Sequence, residues 1–229
     1  LVGPILTSIL FLVVISLAIG NERSDVLGVP YIEFLANGLI MMQVIQQSFS
    51  HSSSSLVMSK MMGTIVDIVN SPLSAAEVTI SIVLASITRG LCIAFISTMI
   101  FIFFLDLNIP NYFQWFLFLF LAGFFLGSAG FIAGLYADKF DQMANVTNFI
   151  IVPLSFLSGT FYSIEKLPDI LKNLSFYNPF FHMIDGFRYS FIGQLDGSLK
   201  FGVTFLLIIS LITWYIAYLL FKKGYKIKS

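Results

Sequence analysis

The sequence predicts an all-α integral membrane protein with six transmembrane helices in a single domain over residues 1–229. Three observations carry this. First, the chain is 58% hydrophobic and only 10% charged, with a mean hydropathy of +0.93, whereas soluble domains carry about 25% charged residues. Such a chain cannot cover its apolar surface with water-facing groups, so lipid must be its main solvent. Second, the apolar residues fall in long unbroken runs. A transmembrane β-barrel would show short alternating strands instead. Third, Phe is the extreme residue, with 26 copies, and its ring carries no donor that needs a partner in lipid.

A crossing helix needs about 20 apolar residues. The first stretch, roughly 2–20, is apolar throughout. The second, roughly 31–50, is weakened by Gln43, Gln46 and Gln47. Between it and the third lies 51–77, where Val57, Met58, Met61, Met62, Ile65, Ile68 and Val69 follow a helical period. An amphipathic helix is expected over about 57–72, ended by Asn70-Ser71-Pro72 because the residue before proline avoids the helical region. It suits either a docking element or a loop anchor. Ser74 and Glu77 have the spacing of a capping box that starts the third span, roughly 78–105. Cys92, the one cysteine, lies within that span and reads as a buried inert thiol. The fourth span, roughly 112–136, carries Gly123, Gly127, Gly130 and Gly134 at small-residue spacing, which permits close helix approach. The fifth, roughly 145–162, ends at Ser158-Gly159-Thr160. A half-polar, aromatic segment follows over about 160–193, before the last span at roughly 201–221, closed by Lys222 and Lys223.

Loop charges set the orientation. With six spans, one side holds Lys60, Lys139, Lys222, Lys223, Lys226 and Lys228. The other holds Arg23, Lys166, Lys172, Arg188 and Lys200. The basic tail abuts a span, where positive charge weighs most, so both termini are placed in the cytoplasm. The acids Glu22, Asp25, Glu33, Asp106, Glu165, Asp169, Asp185 and Asp196 then fall at the outer side. The chain opens at Leu1 inside an apolar run, without Met or a basic start. A cytoplasmic N-terminal segment is therefore expected ahead of it.

Polar groups inside spans need partners or water. Gln43, Gln46, Gln47 and Ser50 share one side of span two, and Asn145, Asn148 and Ser155 roughly share one side of span five. They suit helix-to-helix hydrogen bonds or a polar conduit. Arg89, within span three, is expected to snorkel or to pair with Asp138 or Glu77. No phosphate-binding loop, dinucleotide glycine fingerprint or nucleophile elbow occurs. His51 and His182 fall on opposite sides, and zero net charge gives no reason to expect nucleic acid. The chain is not expected to be an enzyme. Energy for any driven process must come from another chain.

Three stretches in order carry a family resemblance. They are Gly63-Thr64 through Ser71-Pro72, then Leu157-Ser158-Gly159-Thr160-Phe161-Tyr162 with Leu167-Pro168 and Asn178-Pro179, and then Asp185-Gly186-Phe187-Arg188-Tyr189. With the span order, they resemble the membrane subunits of type-2 ABC exporters, the polysaccharide, nodulation-factor and multidrug permeases.

The resemblance implies a half-transporter that binds no cofactor itself. Two copies would form the path, and separate ABC ATPase subunits, carrying ATP and Mg, would dock on the coupling helix. Met61, Gly63, Thr64, Asp67, Ser71 and Pro72 would make that contact. The family often has a charge just before the Gly-Thr; here Met61-Met62 stand there, with Lys60 nearest. Gln43, Gln46, Gln47, Ser50, Asn145, Asn148 and Ser155 would line the path. Short re-entrant or external helices between spans five and six would help close the exit, with Gly159, Phe161, Tyr162, Asn178, Pro179 and Arg188 forming the gate. The expected location is the bacterial inner membrane, among its lipids. The alternative reading is a scaffold that transports nothing and binds an external partner through 160–193.

Overall fold

The computed structural model describes residues 2–19, 25–105 and 107–224. Glu22, Arg23, Asp106, Lys226 and Lys228, which entered the charge balance, lie outside the described residues. Ten α-helices account for most of the described chain: α1 Val2–Ile19, α2 Tyr31–Met61, α3 Ile65–Asn70, α4 Ala75–Phe104, α5 Tyr112–Tyr136, α6 Phe140–Val146, α7 Val152–Leu157, α8 Asp169–Phe176, α9 Pro179–Ile192 and α10 Leu199–Lys222. Helices α4, α5 and α10 are each long and apolar enough to cross a membrane, and Val2–Ala18 forms a shorter apolar helix. The all-α membrane character read from composition is what the chain adopts.

Helix α2 is the centre of the bundle. Every residue from Phe34 to Ile45 is buried, so α4, α5, α9 and α1 surround it there. Small residues let its neighbours come closest just beyond that stretch. A Cβ on Gly130 of α5 would lie 2.4 Å from the carbonyl oxygen of Phe49, and one on Gly134 would lie 2.8 Å from that of Ser53. Further along α5, a Cβ on Gly127 would meet Ser86 Oγ of α4 at 2.1 Å. On α4, Gly90 leaves the same kind of space beside Ser48 Oγ of α2. Backbones thus approach closely where hydrophobic exclusion between helices is weak and packing must hold the bundle.

Several boundaries differ from the sequence reading. The second span does not stop near 50, and no separate helix covers 57–72. Helix α2 runs on to Met61. No breaker stands between Ser50 and Met61, and Ser55 and Ser59 satisfy their hydroxyls on carbonyls four residues back, at 2.7 and 2.9 Å. The stop comes at Gly63, in the left-handed region at φ +74°. What remains is the six-residue α3, ended by extended Ser71 before Pro72. Ser74 and Glu77 close the capping box at α4: Ser74 Oγ accepts from Glu77 N at 3.3 Å, and Glu77 Oε2 accepts from Ser74 N at 2.7 Å.

The fifth stretch starts earlier and ends earlier than 145–162. It comprises α6, a π-helical turn over Thr147–Ile151, and α7. Pro153 has no N–H to give and crowds the preceding turn, so the ladder widens just before it. Cys92 is exposed on α4 rather than buried, because its side of the helix faces away from α2 and α5.

Replacing Gly130 with Leu should lower unfolding stability by about 1–3 kcal/mol, since backbone cannot yield as a side chain can. Gly3, which has no neighbour within 4 Å of a built Cβ, is the control: Gly3→Ala should stabilise by roughly 0.5–1 kcal/mol. Thermal unfolding in one detergent checks both signs.

Candidate functional site: a joint, a polar face and a projecting helix

The break after α7 is pinned from beneath. Gly159 adopts φ +80°, which turns the chain sharply. Its carbonyl accepts from Arg188 Nη2 of α9 at 2.7 Å. Arg188 is fully enclosed, and its guanidinium carbon lies 3.7 Å from the centre of the Phe34 ring on α2. Burial lowers its pKa to about 10, against the pull of Asp185 and Asp196, so it stays charged at neutral pH. Gly38 of α2 is small because Thr160 O would lie 2.5 Å from its Cβ. One cation thus joins three elements that are distant in sequence.

Asn178 caps α9, its Oδ1 accepting from Phe180 N at 3.0 Å, while its Nδ2 donates to Ser158 Oγ at 2.8 Å. Pro179 occupies the first turn, where no N–H is missed. Phe161 stacks on Phe156, with ring centres 5.1 Å apart, and its carbonyl accepts from Tyr31 Oη at 3.0 Å. Tyr162 Oη donates to Leu157 O at 3.0 Å. The structure therefore gathers Gly159, Phe161, Asn178, Pro179 and Arg188 around one turn, with Tyr162 beside it. Sequence reasoning missed Phe34, Gly38 and Tyr31, because α2 lies more than a hundred residues away in the chain.

His182 and Asp185 hold α9 rather than each other. His182 Nε2 donates to Phe176 O at 2.8 Å among the rings of Phe181, Phe201 and Phe205. Burial lowers its pKa against the opposing pull of that carbonyl, so it is neutral at pH 7. Asp185 accepts from the backbone N–H groups of Asp196 and Gly197 at 3.0 and 2.9 Å. Asp196 in turn accepts from Ser163 Oγ at 2.5 Å. Among the described residues, no group of three or more His, Cys, Asp or Glu could hold a metal ion.

The two expected polar stripes separate. Beyond Ile45, α2 is enclosed on one side only. Gln46, Gln47, Ser50 and His51 are half-buried there, while Gln43 is buried. On the fifth stretch, Asn145 and Asn148 are both exposed. Ser155 turns away, buried, donating to Ile151 O at 2.7 Å. It belongs to the joint, since its carbonyl accepts from Thr160 Oγ1 at 2.6 Å. Among the described residues, no hydrogen bond links the two stripes. Arg89 joins the α2 stripe instead. Its Nη2 donates to Gln47 Oε1 at 3.1 Å, and Nη1 lies 3.5 Å from His51 Nδ1. Neither Glu77 nor Asp138 reaches it. Glu77 is held by Ser74, and the Asp138 backbone N–H is held by Gln142.

At the opposite end from α9, α3 projects from the bundle. Met61, Met62, Val66, Val69 and Leu73 are exposed around Asp67. Thr64 precedes the helix and Ser71 Oγ donates to Ile68 O at 2.7 Å. Lys60 anchors the base of this arm by donating to the final carbonyls of α5, at Leu135 and, at 3.1 Å, Ala137.

A central helix with a one-sided polar face, a pinned turn at one end and a projecting short helix at the other can be compared with known proteins. Residues 1–192 match the ABC-2 type transporter family. The chain belongs to that family. It is 33% identical over 218 residues to "Inner membrane transport permease YadH" of Escherichia coli K12, covering 93% of this chain and 85% of the relative. A shorter match reaches "Nodulation protein J" of Sinorhizobium fredii strain NGR234, 26% identical over 97 residues, covering 42% of this chain and 37% of the relative. The chain is thus a transport permease subunit of an ABC transporter, a multi-pass membrane protein rather than an enzyme. Members of this family associate with an ABC ATPase.

Burial pushes the Asp185 carboxyl up from 3.8 to about 6, its backbone donors and Arg188 opposing. The folded state therefore favours the protonated acid. This contribution is complete below the unfolded value and is lost as pH rises through about 6. The melting temperature of Asp185→Asn, measured relative to the unsubstituted protein, should rise as pH goes from 4 to 7. A gap that stays constant across that range would contradict the assignment.

Proposed function

We propose that the chain is the membrane half of an ATP-driven exporter in a bacterial inner membrane, working as a homodimer with separate ATPase subunits. Six crossings are formed by α1, α2, α4, α5, the α6–α7 unit and α10, with both termini cytoplasmic. Helix α3 is the coupling helix, and α8 and α9 lie at the outer face. The cargo is a glycan, a lipid-linked molecule or an amphipathic drug-like compound.

The observation that carries this reading is α3. A six-residue helix set beyond Gly63 exposes Val66 and Val69 around Asp67, and Met61, Met62 and Leu73 are exposed on the segments flanking it. Exposed apolar patches rimmed by polar groups mark contact surfaces. The family supplies the partner, an ATPase, and the relative named as a transport permease supports a transport role. The inner-membrane relative supports the location. Closure of an ATPase pair would move α3, and α2 would carry the movement inward because the short link Met62-Gly63-Thr64 and the packing of Ile65 on Leu56 join the two. Such coupling works by favouring one of two arrangements of the bundle.

Gly63 has no neighbour within 4 Å of a built Cβ, yet its φ is positive. Gly63→Val should therefore strain only the arm. The variant should assemble in the membrane with unchanged melting temperature while ATP hydrolysis by the bound ATPase loses its response to the permease. Asp67→Ala should weaken ATPase co-purification by about tenfold, the loss typical of one contact residue. Full ATPase capture and unchanged hydrolysis with both variants would refute the coupling role of α3.

A further inference from the structure

Beyond Ile45, α2 has a half-buried face that carries Gln46, Gln47, Ser50 and His51, and Arg89 of α4 reaches its middle. Arg89 is held against it because α4 approaches α2 closely at Gly90 and Ser48, where Ser48 Oγ also lies 3.4 Å from Ser86 O. The guanidinium can only donate hydrogen bonds. It therefore fixes the orientation of both its partners. The Gln47 amide must turn its oxygen to Arg89, leaving its NH2 group outward. The His51 Nδ1 that faces Arg89 must be an acceptor, which places the ring proton on Nε2.

The consequence is a cluster whose acceptors are consumed internally. What remains facing outward is donors: the free guanidinium N–H groups, the Gln47 NH2 and the His51 Nε2–H. Arg89 Nε, which is buried, has no partner. Among the described residues no carboxylate pairs with Arg89. Measured along α2 from Tyr31, Gln47 lies ~24 Å deep, and along α4 from Phe104, Arg89 lies ~22 Å deep. In a hydrocarbon core about 30 Å thick, that is the cytoplasmic half.

We propose that Arg89, Gln47 and His51 form a binding site for the anionic head, phosphate or carboxylate, of an amphipathic cargo entering from the cytoplasmic side. This deepens the exporter reading and rests on it: the polar face of α2 is the path, and Arg89 is its charge selector. A guanidinium fork matches such oxyanions in geometry as well as charge. Neutral cargo would leave the donors unpaired, so the site discriminates by head-group charge, while the surrounding apolar helices accept the tail.

The test uses the permease assembled with its ATPase in phosphatidylcholine nanodiscs. Two fluorescent probes differ only in the head: a monoacylglycerol phosphate and the uncharged monoacylglycerol. The unsubstituted complex should bind the phosphate probe at least about tenfold more tightly, the scale of a charge-assisted contact. Arg89→Gln should abolish that preference, and Arg89→Lys, which keeps the charge and guards against a folding artefact, should retain part of it. Equal binding of both probes, or a preference that survives Arg89→Gln, overturns the proposal. So does a native anionic phospholipid retained at one per permease, absent from Arg89→Gln and not displaced by the probe, because that marks a structural lipid. A complex that assembles and hydrolyses ATP but is blind to head-group charge removes only the anion site. A chain that binds no ATPase removes the exporter reading with it.

Discussion

The close grip on α2 is the constraint from which the rest of the structure follows. Twelve consecutive residues, Phe34 to Ile45, are enclosed on every side. Just beyond them the neighbours come to backbone distance, where Gly90 faces Val44 and Ser48 and where Gly130 and Gly134 face the backbone at Phe49 and Ser53, while Gly127 lets α5 meet α4 at Ser86. Lipid tails are as apolar as leucine, so burial alone gives little reason for helices to associate in a membrane. Close contact between small residues supplies dispersion and short-range fit instead. Once α2 is held this way, its remaining length must be exposed on one side, and its polar residues collect there.

The same helix organises the end that carries α9. Phe34 offers its ring to Arg188, and Gly38 makes room for Thr160. A buried guanidinium is costly in isolation, yet here it meets a carbonyl and a π-face in one place. The turn at Gly159, the start of α9 and the top of α2 therefore move as one body. His182 and Asp185 extend the arrangement by fixing α9 to the segments on either side of it. These groups look chemically reactive in the sequence, but each is engaged with backbone.

The sequence revealed the membrane class, the order of helices, the glycine packing in α5 and the capping box at Ser74, because each is a local pattern. It misplaced what depends on distant partners. The apolar period over 57–72 was real, but periodicity cannot distinguish a new helix from the continuation of an old one, and only Gly63 interrupts the backbone. Cys92 sits in an apolar run like its buried neighbours, and only the position of α2 and α5 shows that it faces outward. Arg89 was expected to snorkel or to pair with a carboxylate. It took a glutamine and a histidine instead, since α4 meets α2 at Gly90, and that contact brings no acid within reach. Asn145, Asn148 and Ser155 shared a helical side on paper, but the π turn before Pro153 rotated that side and sent Ser155 into the joint.

These pieces describe a bundle closed around α2 at one end and open along its polar face at the other, with α3 just beyond that open end. The most direct test is the accessibility of that face. In a Cys92→Ser background, single cysteines at Gln46, Ser50, Val44 and Ser48 would be exposed to a membrane-impermeant thiol reagent applied to both sides of the membrane. The half-buried positions 46 and 50 should react at least about tenfold faster than the enclosed 44 and 48, because only the former can meet water and form thiolate. Equal rates at all four positions would contradict the account.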